Sequence, residues 1–157
     1  MQTNQMNQNA LKEFDSEATL MAKVSHHPNV LQFIGAVITS EKLCIVSKFC
    51  KRGSLDKLLQ KEKMDWARKY QLARDAAAGL AFLHHEGIVH RDIAARNVLI
   101  GESYQGYISD LGLARLFENP NEVDEGNTTK SNVGPVRWMA PEAMREKKYS
   151  TATEGIS

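Results

Sequence analysis

The sequence predicts an α+β chain, and three observations carry that class. A single helical pattern runs from Trp66 to His85. Two short apolar runs, Val30–Ile38 and Leu43–Phe49, are broken by the polar tetrad Thr39-Ser40-Glu41-Lys42. Past Gly87 the apolar runs shrink to Ile88-Val89, Val98–Ile100 and Tyr107-Ile108, with charged and polar residues between them. A long 3.6-residue period beside short, turn-bounded runs reads as helices segregated from small antiparallel strands.

The elements follow in order. Residues 1–10 are polar, and their first nine hold only Gln, Asn, Met and Thr, so they read as a frayed, disordered terminus. From Leu11, the positions Phe14, Ala18 and Met21 give one apolar helical face; Val24 extends it and Pro28 forbids further helix. The two apolar runs read as an antiparallel hairpin. Lys51-Arg52-Gly53 is a break, after which Ser54 is a candidate cap for a short helix bearing Leu55, Leu58 and Leu59. Asp65 caps the long helix and Gly87 sits where a left-handed C-terminal residue is wanted. Its apolar stripe reads as Trp66, Tyr70, Ala73, Ala77, Leu80 and His84, while Gly79 marks either close packing or a tolerated defect. Residues 118–132 are polar and carry four acids before Lys130, the pattern of a surface loop.

Composition narrows the function classes. The chain has 157 residues, with 20 Lys+Arg against 19 Asp+Glu, a formal charge of +1. That balance offers no global basic excess for nucleic acid, so none is expected as a partner. Hydrophobic content of 42% and charged content of 25% are those of a globular chain. No apolar run reaches about 18 residues, so no membrane segment is expected here, and the uncharged N-terminus lacks the pattern of a signal peptide. Cys44 and Cys50, six apart, fit neither a zinc quartet nor a disulfide scaffold. Two reduced thiols point to the cytoplasm, or to the cytoplasmic part of a larger anchored protein. The adjacent pairs His26/His27 and His84/His85 lack the four-residue spacing that puts two ligands on one helical face.

The chemistry concentrates between residues 90 and 142. His90-Arg91-Asp92-Ile93-Ala94-Ala95-Arg96-Asn97 is followed by Asp110-Leu111-Gly112 and then Ala140-Pro141-Glu142. The first segment fits the kinase catalytic-loop pattern, an Asp with an Asn five residues on, and the three motifs stand in the required order. In these residues the chain resembles a protein kinase catalytic domain of the tyrosine-kinase and tyrosine-kinase-like group. The resemblance covers about Leu11 to Glu154. It implies a two-lobed fold truncated at both ends, with a partial N-lobe over 11–50 and a partial C-lobe over 51–157. It also implies ATP and Mg2+ as cofactors, and a protein hydroxyl as the phosphate acceptor.

The resemblance assigns roles residue by residue. Asp92 accepts the substrate hydroxyl's proton, and Arg96 stands four residues later, as in tyrosine kinases. Magnesium prefers oxygen ligands, and Asn97 and Asp110 supply them. Glu17 is the helical partner of the ATP-positioning lysine. Ser47 is the gatekeeper of a hinge, Ser47-Lys48-Phe49-Cys50, in which backbone groups of Lys48 and Cys50 face adenine and Leu99 closes the pocket from below. Met21, Phe33, His90 and Leu111 fall on the apolar regulatory spine. Arg91 reads a phosphate on the activation segment, where residues 113–134 hold no Tyr and offer Thr128, Thr129 and Ser131. Pro135-Val136-Arg137-Trp138 resembles a substrate-docking loop.

The departures are as informative. No Gly-rich loop and no lysine-bearing strand precede Glu17. After Tyr149-Ser150-Thr151, where the family has an Asp that braces the catalytic loop, this sequence reads Glu154-Gly155-Ile156-Ser157. These absences predict an incomplete kinase, as in a truncated gene, that is inactive alone. A non-catalytic kinase-like interaction module is the alternative.

Overall fold

The computed structural model describes residues 2–39 and 42–116, with Pro141, Arg145, Ser150, Thr151 and Glu154. Its first element is a helix, α1 (Gln2–Val24). The expected frayed terminus is therefore helical backbone from Gln2. Residues 2–10 contain no Pro or Gly, and extending an existing helix adds one hydrogen bond per residue fixed, without a new nucleation cost. At the other end, Met21 and Val24 are buried.

Strands β1 (Phe33–Ile38) and β2 (Leu43–Ser47) pair antiparallel in the register Ala36↔Ile45, as the two apolar runs predict. The turn is closed by the Thr39 amide, which donates to the Lys42 carbonyl at 2.9 Å. Phe33 and Ile45 pack against the main core, while Ile34, Val37, Ile38 and Val46 remain exposed.

Helix α2 (Leu55–Lys61) turns Leu58 inward and leaves Leu59 exposed. Ser54 occupies its N-cap position but accepts no helix N–H through its side chain. The neighbouring Ser54 hydroxyl is the largest of the influences holding the Asp56 carboxyl below its ordinary value. Helix α3 (Trp66–His85) has the predicted bounds. The Asp65 carboxylate accepts from the Arg68 amide at 2.8 Å, and Gly87 adopts φ 73°.

The buried face of α3 is not the predicted one. Leu72, Asp75, Gly79 and Leu83 point inward, whereas Trp66 and Tyr70 are 83% and 74% exposed. Two phases of the helix carry small or apolar residues, and packing selects the one with Gly79. A Cβ there would stand 2.5 Å from the Asn29 carbonyl oxygen and 2.9 Å from Ile108 Cγ1. Close approach, not tolerance, explains this glycine.

Two short strand pairs follow. β3 (Ile88–Val89) pairs with β6 (Arg115–Leu116), and β4 (Val98–Ile100) with β5 (Gly106–Ile108). The segment after α1 runs parallel along β5: the Ile108 amide donates to Asn29 and the Leu31 amide to Ile108, both at 2.8 Å. The Asp75 carboxylate accepts the Gly106 amide at 3.0 Å, tying α3 to the same hairpin. Val24, Leu72, Leu83, Ile88, Ile100 and Ile108 form the centre of the core, each under 2% exposed. Removing a leucine from water so completely contributes on the order of 1.5–3 kcal/mol. Among the described residues, no helix is long and apolar enough to cross a membrane.

Candidate active site

The site is a polar loop held between β3 and β4. Its centre is Asp92, buried, on a segment too short for regular structure. A 3-10 turn, Ala95–Asn97, folds the loop back, so the side chains of Arg96 and Asn97 both reach the Asp92 carboxylate. Asn97 Nδ2 donates to Asp92 Oδ2 and to the Asp92 carbonyl, each at 2.8 Å, while an Arg96 guanidinium nitrogen bonds Oδ1. Two donors on opposite oxygens fix the direction of the carboxylate. With both Nδ2 hydrogens so used, the Asn97 side-chain oxygen is left as an acceptor.

His90 joins this loop to the strand that carries Asp110. It is fully buried; Nε2 donates to the Ser109 carbonyl at 2.9 Å and Nδ1 accepts the Asp92 amide at 3.3 Å. Ser109 in turn donates through its amide and its hydroxyl to the Asn97 carbonyl, both at 2.9 Å. The β4–β5 hairpin thereby returns Asp110 beside Asn97. Arg91 and Asp110 both have left-handed backbones, φ 69° and 64°, a conformation uncommon for non-glycine residues.

Glu17 of α1 faces Asp110. A Cβ on Gly112 would lie 3.3 Å from Asp110 Oδ1 and 3.7 Å from each Glu17 oxygen, so the Gly112 backbone sits against both carboxylates. Burial, with the Asp110 charge adding to it, raises Glu17 above the ordinary carboxylate range. Met21 and Leu111, expected on the spine, share the main core, with Phe33 packed against it.

The expected hinge leads out of β2. The Lys48 amide is used by the Gln32 carbonyl at 2.9 Å, and the Cys50 carbonyl by the Gly53 amide at 3.0 Å. The Lys48 carbonyl and the Cys50 amide have no hydrogen-bond partner among the described residues. Phe49 is 85% exposed, and Ser47 ends the strand opposite Phe33. Leu99 packs with Cys50, Leu31 and Tyr107 in a small second core, and burial raises the Cys50 thiol pKa. Lys48 sends its ammonium to the Tyr107 hydroxyl, at 2.8 Å.

Glu154, which sequence comparison treats as a departure, is the main addition. It is buried, and Oε2 accepts the His90 amide at 2.7 Å and His84 Nε2 at 2.9 Å, while Oε1 accepts the Arg91 amide. A glutamate braces the loop where an aspartate was expected; the signal was the acid just past Tyr149-Ser150-Thr151. Thr128, Thr129, Ser131 and the segment Pro135-Val136-Arg137-Trp138 lie outside the described residues.

The donor set matches hard-cation chemistry: the exposed Asp110 carboxylate and the neighbouring Asn97 side-chain oxygen are oxygens of the kind magnesium selects.

Known protein kinases are similar in sequence to this chain. The profile of the family described as protein tyrosine and serine/threonine kinase matches residues 1–155. Ephrin type-A receptor 5 of Rattus norvegicus is 37% identical over 145 residues, covering 91% of this chain and 14% of the receptor. Serine/threonine-protein kinase STY17 of Arabidopsis thaliana is 36% identical, covering all of this chain and 27% of the relative. Fer-related kinase 1 of Caenorhabditis elegans is 38% identical, covering 90% and 34%. The chain thus spans about a third or less of the length of these relatives. With its catalytic loop, its Asp110 hairpin and a match over nearly its whole length, the chain belongs to the protein tyrosine and serine/threonine kinase family.

Proposed function

We propose that this chain carries the catalytic-loop and metal-binding part of a protein kinase, one that moves the ATP γ-phosphate to a hydroxyl of a protein substrate in the cytoplasm. The observation that supports it best is the Asp92–Asn97–Ser109 hydrogen-bond chain, which fixes the Asp92 carboxylate and ties the residue before Asp110 to Asn97. Asp92 takes the proton of the attacking hydroxyl, and Arg96 and Asn97 keep its carboxylate aimed at the acceptor. Asn97 and Asp110 would hold Mg2+, which when bound neutralises phosphate charge. The Lys48 carbonyl and the Cys50 amide have hydrogen-bonding capacity suited to an adenine edge, with Leu99 beneath. Arg91 would receive a phosphate on Thr128, Thr129 or Ser131, and Pro135-Val136-Arg137-Trp138 would guide the substrate.

A second reading, a non-catalytic kinase-like module, is favoured by one observation. The group facing Glu17 is another carboxylate, Asp110, rather than the lysine that would position ATP.

The test is titration of a fluorescent ATP analogue with and without Mg2+. The proposal expects Mg2+-dependent binding that weakens at least about tenfold in Asp110→Asn, a loss of roughly 1.4 kcal/mol. Binding indifferent to both Mg2+ and Asp110 refutes it. Phosphate transfer to protein separates the two readings. Turnover abolished by Asp92→Asn establishes catalysis in this chain, whereas metal-dependent binding without transfer supports the non-catalytic module.

A further inference from the structure

The charge of the chain is not evenly spread. Residues 51–74 carry eight Lys or Arg against three Asp or Glu, a local charge of +5 in a chain of +1. The segment spans the turn after the hinge, α2, the α2–α3 link and the first half of α3.

The structure sorts these cations into two sets. One set is engaged in building the platform. Lys51 pairs with Glu102 at 2.6 Å and Arg52 with Glu62 at 3.6 Å. The Arg52 and Arg68 guanidinium groups lie 3.7 and 4.0 Å from the Tyr104 ring centroid. Two cations so close to one centroid must occupy opposite faces, so the ring is clamped between them. The Tyr104 hydroxyl donates to Glu62 at 2.8 Å. Tyr104 itself has φ 61°, a conformation that this clamp holds in place. Glu62 and Glu102 are thereby occupied, while Asp56 stands beside Lys57 on α2 and offsets part of its charge.

The second set faces outward. Lys57, Lys61 and Lys63 are exposed and form no ion pair among the described residues. Lys69 is exposed as well, with its ammonium 5.0 Å from the Trp66 ring centroid. Position decides what such a face could serve. Helix α2 packs against the Ala95–Asn97 turn, and Ser54 at its start bridges to Leu99, two residues past Asn97. The basic face therefore begins at the rim of the catalytic loop.

We propose that this face, centred on Lys57, Lys61 and Lys63, docks an acidic segment of the protein substrate; the inference rests on the protein-kinase reading above. Exposed lysines with no ion pair among the described residues attract carboxylates over the screening length, raising encounter rate and orienting the substrate toward the neighbouring catalytic loop. An acidic peptide fits better than nucleic acid. The Tyr104 ring beside this face already carries a cation on each side, which leaves no face of it for base stacking.

The test is fluorescence anisotropy of a fluorescein-labelled poly-Glu peptide on the purified full chain, without nucleotide. Wild type should bind saturably and lose affinity as salt rises. Lys57→Glu/Lys61→Glu should weaken binding at least about tenfold, and Lys57→Arg/Lys61→Arg should retain it. Lys12→Glu/Lys42→Glu, with the same charge change on α1 and the hairpin turn, should leave it unaltered. Equal losses in both reversal variants, no saturable binding, or tighter binding of single-stranded RNA or phosphatidylserine vesicles overturns the proposal. Because the peptide titration contains no ATP, its failure leaves the Mg2+–nucleotide result standing, and the converse also holds.

Discussion

Glu154→Gln tests how the catalytic loop is held. The substitution keeps the side chain's shape and replaces one carboxylate oxygen with an amide nitrogen. In the wild type three donors converge on the carboxylate: the His90 and Arg91 amides and His84 Nε2. The less costly orientation keeps an oxygen for His90 and His84 and turns the NH2 group toward the Arg91 amide, donor against donor. One hydrogen bond to a charged group is lost, and a buried N–H is left without an acceptor. Such a change costs about 2–3 kcal/mol. At 1.4 kcal/mol per factor of ten, local opening becomes about 30- to 140-fold more frequent. Amide hydrogen exchange reads this directly. The Arg91 amide should exchange faster by about that factor, with a smaller change at His90 and less still in the middle of α3. Unchanged exchange at Arg91 and His90 would refute the bracing role of Glu154.

Other predictions probe the fold. Gly79→Ala gains about 1 kcal/mol of helix propensity but drives a methyl into the Asn29 carbonyl, a backbone group that cannot rotate away. Overpacking costs typically 1–3 kcal/mol, so urea unfolding should show a net loss of up to about 2 kcal/mol; greater stability than wild type contradicts the packing. His27 stacks on Phe82 with ring centroids 4.5 Å apart, and its Nδ1 accepts the Asn29 amide at 3.1 Å. Burial, then the neighbouring His26 charge, lowers its pKa. The unfolded chain therefore takes up the proton first as pH drops below about 6.5, and stability is lost through that window. His27→Asn preserves an acceptor near the Nδ1 position without the titration, so its stability should vary less with pH there; equal slopes would contradict the assignment.

Much of this was legible in the sequence where the signal is local. The Asp65 cap, the Gly87 terminator and the two apolar runs around Thr39–Lys42 fixed elements whose cause lies within a few residues. The active-site loop was legible because Asp92, Asn97 and Asp110 keep a spacing set by one turn and one hairpin. What stayed hidden depends on partners distant in sequence. The inward face of α3 is chosen by Asn29 and Ile108 pressing on Gly79, which periodicity within the helix cannot see. Ser54 follows cap grammar, yet its side chain caps no helix N–H. The pairing of β3 with β6 joins strands of only two residues each, too short for any periodic signal. Glu154 reaches the loop from 63 and 64 residues away, with a side chain one methylene longer than the expected aspartate.

The central claim is that Asn97 and Asp110 form a metal-binding edge beside a fixed Asp92. Paramagnetic Mn2+, an oxygen-preferring substitute for Mg2+, tests it most directly when added with ATP and followed by NMR. The account predicts that broadening is strongest at the Asn97 and Asp110 resonances and is lost in Asp110→Asn. Broadening centred on Glu62 and Glu102, or unchanged in Asp110→Asn, would contradict it.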